Sequence, residues 1–354
     1  MLDNAIRRGL ISGGVVAIGN HNGVLYSTAS GNLFQTPGSP ALSDRTLFDV
    51  ASLTKVIATT PAVLKLLEYG RINLLDSITR WFPELEGSAQ DEITVLNLLT
   101  HTSGIGDMEF PSEDALNKVL IKIADQNSPP PGSRFRYADI NFILLGEMVQ
   151  RVSGIPLDQF CSKYVYVPTG MTDTQFRPQH EQGSLIAPTA GFDNTLTSGV
   201  VQDFNARKLG GVAGHAGLFS TSADLTKFAA MILNHGYYND KRVFNERTIT
   251  QMTAPYFYSN GRVVRGLGWD INSPFSSPRG NHFSPMSFGH TGYSGSSVWI
   301  DPEQDLFVIM LTIRLNYRDV RQFNRLRSDI STLAVSIFSH PRLDEEILDN
   351  VQNR

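Results

Sequence analysis

The sequence predicts an α+β protein: one antiparallel sheet assembled from both ends of the chain, flanked by helices and interrupted by a large helical insertion. Three observations predict it. Short β-rich runs gather at the two ends of the chain. Apolar residues at three- and four-residue spacing fill the middle. The chain has 354 residues, 41% hydrophobic and 18% charged, which suits one large domain or two coupled lobes. The sheet lobe is expected from 1–60 together with 245–354, and the mainly helical lobe from 61–244. A site between the two is the default expectation.

Taken in order, Met1 to Gly9 reads as a short helix. "GGVVAIG" (Gly13 to Gly19) and "GVLYSTAS" (Gly23 to Ser30) read as strands joined by the turn "NHNG". A helix is expected from Ser52 to Tyr69, closed by Gly70 and kinked or restarted at Pro61. "TVLNLLTH", "EDALNKVLIKIAD", "INFILLGEMVQRVSG" and "SADLTKFAAMILNHG" carry helical spacing as far as about Asp240. "SPPPGSR" (Ser128 to Arg134) is a turn. "RGLGWDI", "MSFGHTG", "GSSVWID" and "DLFVIMLTI" return to strands, and a last helix covers Val320 to Ser339.

Composition excludes several roles. Net charge is −4 and the 30 basic residues are scattered, so no nucleic-acid surface is expected. No apolar run is long enough for a membrane segment. The N-terminus lacks a basic-then-apolar leader pattern, so a cytoplasmic protein is expected, or a periplasmic or secreted one if a signal was removed before residue 1. Cys161 is the only cysteine. The eight His show no ligand spacing and no H-E-x-x-H, so no metal and no cofactor are expected. There is no G-x-S-x-G elbow and no phosphate-binding loop. The oligomeric state is not legible.

Chemistry enters at Ser52-Leu53-Thr54-Lys55. A serine hydroxyl needs a neighbouring base to act as a nucleophile, and residues three apart on a helix share a face. A helix start also offers backbone N–H groups to developing negative charge. The bland alternative is a helix-capping serine with a solvated lysine. Two later segments add polar groups beside turns: Tyr137 with Asp139 in "FRYADINFILLG", and His290-Thr291-Gly292 in "FGHTGYSGSSVWID". Each alone reads as a core tyrosine or a plain turn.

Together and in this order, they resemble the S-x-x-K, Y-x-N and K/H-T-G signatures of the penicillin-recognising serine hydrolases. That group takes in class C-type β-lactamases, D-alanyl-D-alanine carboxypeptidases and related esterases and amidases. "LLTHTSGI", "ISGGVVAIG", "PTGMTDTQF" and "GLFSTSADLTKFAAMIL" extend the resemblance over nearly the whole chain. It implies a β-lactamase/transpeptidase-like fold. It implies Ser52 as the acylated nucleophile, Lys55 as the group that keeps the hydroxyl acidic, and Tyr137 as general base and proton donor. The backbone N–H groups of Ser52 and Tyr293 would form the oxyanion hole, and His290, Thr291 and Gly292 would bind substrate. Asp139 stands where the signature has Asn. An ionised Asp only accepts hydrogen bonds, so it would either pair with Lys55 or bind a donor on the substrate, and it speaks against efficient β-lactam turnover.

"DFNARKLGGVAGHAGLFSTSADL" (Asp203 to Leu225) is similar to a subgroup linked to cell-wall recycling. Its glycines make a tight corner around His215, expected either as a packed, hydrogen-bonded histidine or as a substrate-binding wall of the cleft. His101 in "LLTHTSG" is expected to hydrogen-bond a loop. The resemblance implies a serine hydrolase that forms an acyl-enzyme on an amide of peptidoglycan fragments, like a DD-carboxypeptidase or a muropeptide amidase. The alternatives are a small-ester hydrolase, a weak class C-type β-lactamase, and, from another class, a β-lactam or muropeptide sensor that does not turn over.

Overall fold

The computed structural model describes residues 1–179, 185–190 and 195–339; the end of the expected sheet lobe, 340–354, lies outside the described residues. Helix α1 (Leu2–Arg7) leads into a hairpin of β1 (Ile11–Asn20) and β2 (Gly23–Gly31). Then come the short strand β3 (Phe48–Asp49), helix α2 (Thr60–Glu68), helix α3 (Asp139–Ser153), strand β4 (Leu218–Ser220) and helix α4 (Ser222–Leu233). Six strands close the chain: β5 (Tyr256–Tyr258), β6 (Val263–Arg265), β7 (Asp270–Asn272), β8 (Phe288–Thr291), β9 (Ser297–Asp301) and β10 (Leu306–Arg314). Helix α5 (Val320–Phe338) follows them.

The main sheet has the order β5-β6-β7-β8-β9-β10-β1-β2, antiparallel throughout. Its first and last long strands pair with each other, one strand in from the β2 edge, with Val15 opposite Leu311 and Ala17 opposite Ile309. Alternation sends Val15, Ala17, Phe307, Ile309 and Leu311 into the large core shared with the helices. Val16, Ile18, Leu306, Val308 and Met310 go to a second core under α1 and α5. With both faces covered, these strands read as continuous apolar runs. Among the described residues no helix is long and apolar enough to cross a membrane.

The structure corrects three expectations. The stretch from Ser52 to Tyr69 is not one helix. A single 3₁₀ turn (Ala51–Leu53) passes into a wide π turn (Lys55–Thr59), and the α-helical part begins only at Thr60. Pro61 has no N–H to donate and takes the first-turn position of α2, where none is needed. "RGLGWDI" is not one strand either. β6 ends at Arg265, and the N–H of Gly266 bonds the carbonyl of Trp269 across a turn before β7 begins. The middle region also carries short strands, among them β4 paired with β3 and with Gln175–Phe176. Elements of two or three residues are too short to show a period of two.

Candidate active site

Ser52 lies in the turn that leaves β3. Ala51, just before it, has φ of 48°, a left-handed conformation in which few residues other than glycine settle. The turn's 3₁₀ and π geometry still brings the fourth residue back to the first: Lys55 Nζ donates to Ser52 Oγ at 2.9 Å. Lys55 is fully buried, and its ammonium also donates to the His215 carbonyl at 3.2 Å and meets Asp139 Oδ1 at 2.7 Å. Burial alone pushes the Lys55 pKa down. The Asp139 carboxylate outweighs it, with help from Tyr137, and the net direction is up. Asp139 is itself lowered: burial works against ionisation, and Lys55 more than offsets it. Of the two roles the sequence allowed Asp139, the geometry shows the pairing with Lys55.

Tyr137 precedes α3 and faces Ser52 and Lys55 across the cleft, with the Lys55 ammonium 5.2 Å from its ring centroid. Its ring stacks on His101 at 4.4 Å and is flanked by Phe275 and His290 at 5.3 and 6.0 Å. Burial raises the Tyr137 pKa. Lys55 offsets part of the rise and Asp139 adds to it, so the resting phenol is neutral. His101 does hydrogen-bond a loop, through the backbone of Ala138, as expected. It also forms the floor under Tyr137.

On the opposite wall, β8 delivers His290, Thr291 and Gly292. A side chain at position 292 would collide with Ser296 and with the carbonyl of Val50, so glycine lets this turn lie directly against the Ser52 turn. Ser294 Oγ and Ser296 Oγ complete the seam by donating to the carbonyls of Asp49 and Val50 at 2.7 and 2.8 Å. Tyr293 thereby sits across the cleft mouth from Ser52. His290 is buried, and burial, Arg265 and Lys55 hold its pKa well below the ordinary value, so it is neutral. Fixed positive charge on this wall comes instead from Arg265, buried and paired with Asp270 at 3.0 Å, and from Arg327, which donates to the Gly292 and Ser296 carbonyls at 2.7 and 2.8 Å.

The corner 210–217 forms the third wall. Gly214 packs against the carbonyl of Phe142 and the backbone of Gly146 on α3, leaving no room for a side chain. Thr59 Oγ1 donates to the Gly214 carbonyl at 2.6 Å, and this fixes the next carbonyl, that of His215, on Lys55. The His215 ring is buried and bonds Asp203 Oδ1 at 2.8 Å. Burial disfavours ionised Asp203, but the His215 hydrogen bond and the Ala206 N–H hold it down at about 2. Ligand atoms of Asp139, Asp203 and His215 lie within 4.8 Å of one another, as a metal site would require. Here the Lys55 ammonium already sits on Asp139, and the His215 Nε2 is spent on Asp203.

All the predicted residues line or support one cavity of about 1200 Å³. Sequence reading missed Asp203, Arg265, Arg314 and Arg327, which also line it. The three Arg stand isolated in strands and a helix and carry no motif, Asp203 heads its stretch as the cap of a short helix, and only the fold brings them to the cleft. The family described as Beta-lactamase matches residues 2–330. A protein of Escherichia coli strain K12, provisionally named D-alanyl-D-alanine carboxypeptidase, is 31% identical, covering 82% of this chain and 76% of its own. Two solved structures are similar in fold. The octameric penicillin-binding protein homologue of Pyrococcus abyssi has a TM-score of 0.74 at 20% identity, covering 95% of this chain and 77% of its own. A class C beta-lactamase of Rhodobacter sphaeroides has a TM-score of 0.76 at 18% identity, covering 93% and 97%.

Proposed function

The chain belongs to the Beta-lactamase family and is a serine hydrolase, and from that premise we propose that it cleaves an amide of peptidoglycan fragments through an acyl-enzyme on Ser52. The observation that carries this reading is the Ser52 hydroxyl held by Lys55 at 2.9 Å, with the Tyr137 phenol facing both in the same open cavity. The relatives named as D-alanyl-D-alanine carboxypeptidases point to a peptide amide of that kind.

The charge states direct the proton path. Lys55 remains an ammonium and Tyr137 a neutral phenol, so neither is a standing base. Ser52 Oγ attacks the carbonyl carbon while its proton passes to the Tyr137 oxygen, and the Tyr137 proton passes to the leaving nitrogen. The C–N bond breaks, the amine departs and an ester on Ser52 remains. A water then attacks the ester, giving its proton to Tyr137 as Tyr137 returns one to Ser52 Oγ. Lys55 stabilises the oxygen as it loses its proton, and the N–H groups of Ser52 and Tyr293 receive the oxyanion.

Exposed aromatic residues at the rim, Phe204, Phe275 and Tyr293, favour a second reading in which the acyl group is bulky and apolar and the substrate is an ester. Incubating purified protein with a muropeptide panel and with aryl esters, followed by mass spectrometry, tests both. Peptide cleavage that is lost in Ser52→Ala supports the amidase reading. Turnover of esters alone replaces it with the second, and a stable adduct without release points to a sensor.

A further inference from the structure

Asp49 ends β3, three residues before Ser52, and is 2% exposed. Among the described residues no cation lies within ion-pair distance of it. Its Oδ1 accepts the N–H of Ala51 at 2.8 Å and its Oδ2 accepts the N–H of Gln202 at 2.7 Å. The Gln202 side chain donates to the Tyr317 hydroxyl at 2.9 Å, and the Tyr317 ring stacks on Tyr293 at 4.8 Å. The next residue, Ser294, donates to the Asp49 carbonyl at 2.7 Å. The circuit is closed. It starts and ends on Asp49 and ties together the turns of Ser52 and Tyr293, which both line the cleft and whose N–H groups the proposed mechanism assigns to the oxyanion. It also holds Ala51 in a left-handed conformation that costs energy unless its surroundings enforce it.

We infer that Asp49 is a positioning residue for the oxyanion hole: its ionised carboxylate locks the Ser52 turn to the Gln202 segment and, through Tyr317 and Ser294, to the Tyr293 turn, and its protonation loosens that lock. The inference rests on the reading of Ser52 as nucleophile given above. A protonated oxygen is a poorer acceptor and demands an acceptor of its own, so at least one of the two N–H bonds weakens. Burial pushes the Asp49 pKa up to about 6, opposed by the Gln202 and Ala51 N–H groups, with Asp203 raising it and Arg207 lowering it. Tyr317 also faces it. The loosening therefore falls at a pH where Asp139 and Asp203 remain ionised.

The test is the rate at which a fluorophosphonate labels Ser52, with peptide mapping, on both sides of pH 6, together with carboxyl ¹³C NMR of the wild-type protein. The wild type should lose labelling several-fold as pH falls through about 6, with an Asp49 resonance titrating over the same interval. Asp49→Asn places an amide donor against an N–H donor, and should label slowly at every pH with that limb gone. Ser294→Ala should label more slowly and keep the limb. Asp107→Asn should also keep it; Asp107 is the other cleft carboxyl raised by burial, and then by Asp139. A limb unchanged in Asp49→Asn, or lost in Asp107→Asn instead, would overturn the inference. If Asp49→Asn does not fold, an Asp49 resonance that fails to titrate near 6 does the same. Absence of label on Ser52 at any pH would instead sink the underlying reading.

Discussion

The Lys55–Asp139 pair sets this site apart from one with an asparagine in the same place. Its pH behaviour follows from the two shifts. Asp139 is lowered from its ordinary 3.8, so its contribution to stability is present above that value and is lost as pH falls through the folded pKa. Lys55 is raised from 10.5, so its contribution is present below that value and is lost as pH rises through the folded pKa. Asp139→Asn removes the carboxylate and leaves burial opposed by Tyr137 but no longer by Asp139. The expected outcome is an alkaline limb of kcat at lower pH than in the wild type, because Lys55 now loses its charge within the working range. An unmoved limb would mean that Asp139 does not control Lys55. At the same scale, Lys55→Ala and Tyr137→Phe should each lower kcat by about 10²–10⁴. Both serve one proton path, so the double variant should lose far less than the product of the two. Multiplicative losses would assign them separate roles.

At the scale of elements, the corner around Gly214 does the placing. Gly214→Ala would drive a methyl into the Phe142 carbonyl and the Gly146 backbone, forcing the corner off α3. The expected cost is about 1–3 kcal/mol of stability, the range for overpacking. A loss of kcat should accompany it, since the His215 carbonyl moves away from Lys55. Thermal denaturation and turnover measured on the same preparation check this, and an unchanged kcat would show that Lys55 does not need that carbonyl. The sequence showed this corner as a run of glycines around a histidine, and left open whether it was a packed turn or a wall of the cleft. The ring of His215 bonds Asp203, and its carbonyl does the positioning, which no side-chain pattern reports. The long apolar strands and the S-x-x-K spacing were legible because periodicity and motif are local. The broken helix after Ser52 was not, since tertiary contacts decide between 3₁₀, π and α turns. Asp49 was missed for the same reason: its two hydrogen-bond partners lie 2 and 153 residues away.

At the scale of the whole molecule, the sheet and the helical region share one core. Val15, Ala17, Ile309 and Leu311 of β1 and β10 belong to the same buried cluster as Val56, Leu64, Phe142 and Leu145 of the helical side. β10, the last strand, lies between β1 from the start of the chain and β9, so both chain ends must be in place before the sheet is joined. Helix α4, from the middle of the sequence, packs on β1 and β10. A cavity at this seam should therefore be felt by both regions at once. Ile309 is fully buried, and Ile309→Ala should destabilise the protein by about 2–5 kcal/mol. Unfolding in urea, followed by tryptophan fluorescence and by far-ultraviolet circular dichroism, should show one transition moved to lower denaturant. With Trp81 of the helical side replaced by Phe in both proteins, Trp269 and Trp299 report on the sheet side, while the dichroism signal is dominated by the helices. Coincident curves in the wild type and in the variant are expected of a single cooperative unit. If fluorescence shifts in Ile309→Ala while the helical signal stays in place, the two regions unfold separately and the shared core does not couple them.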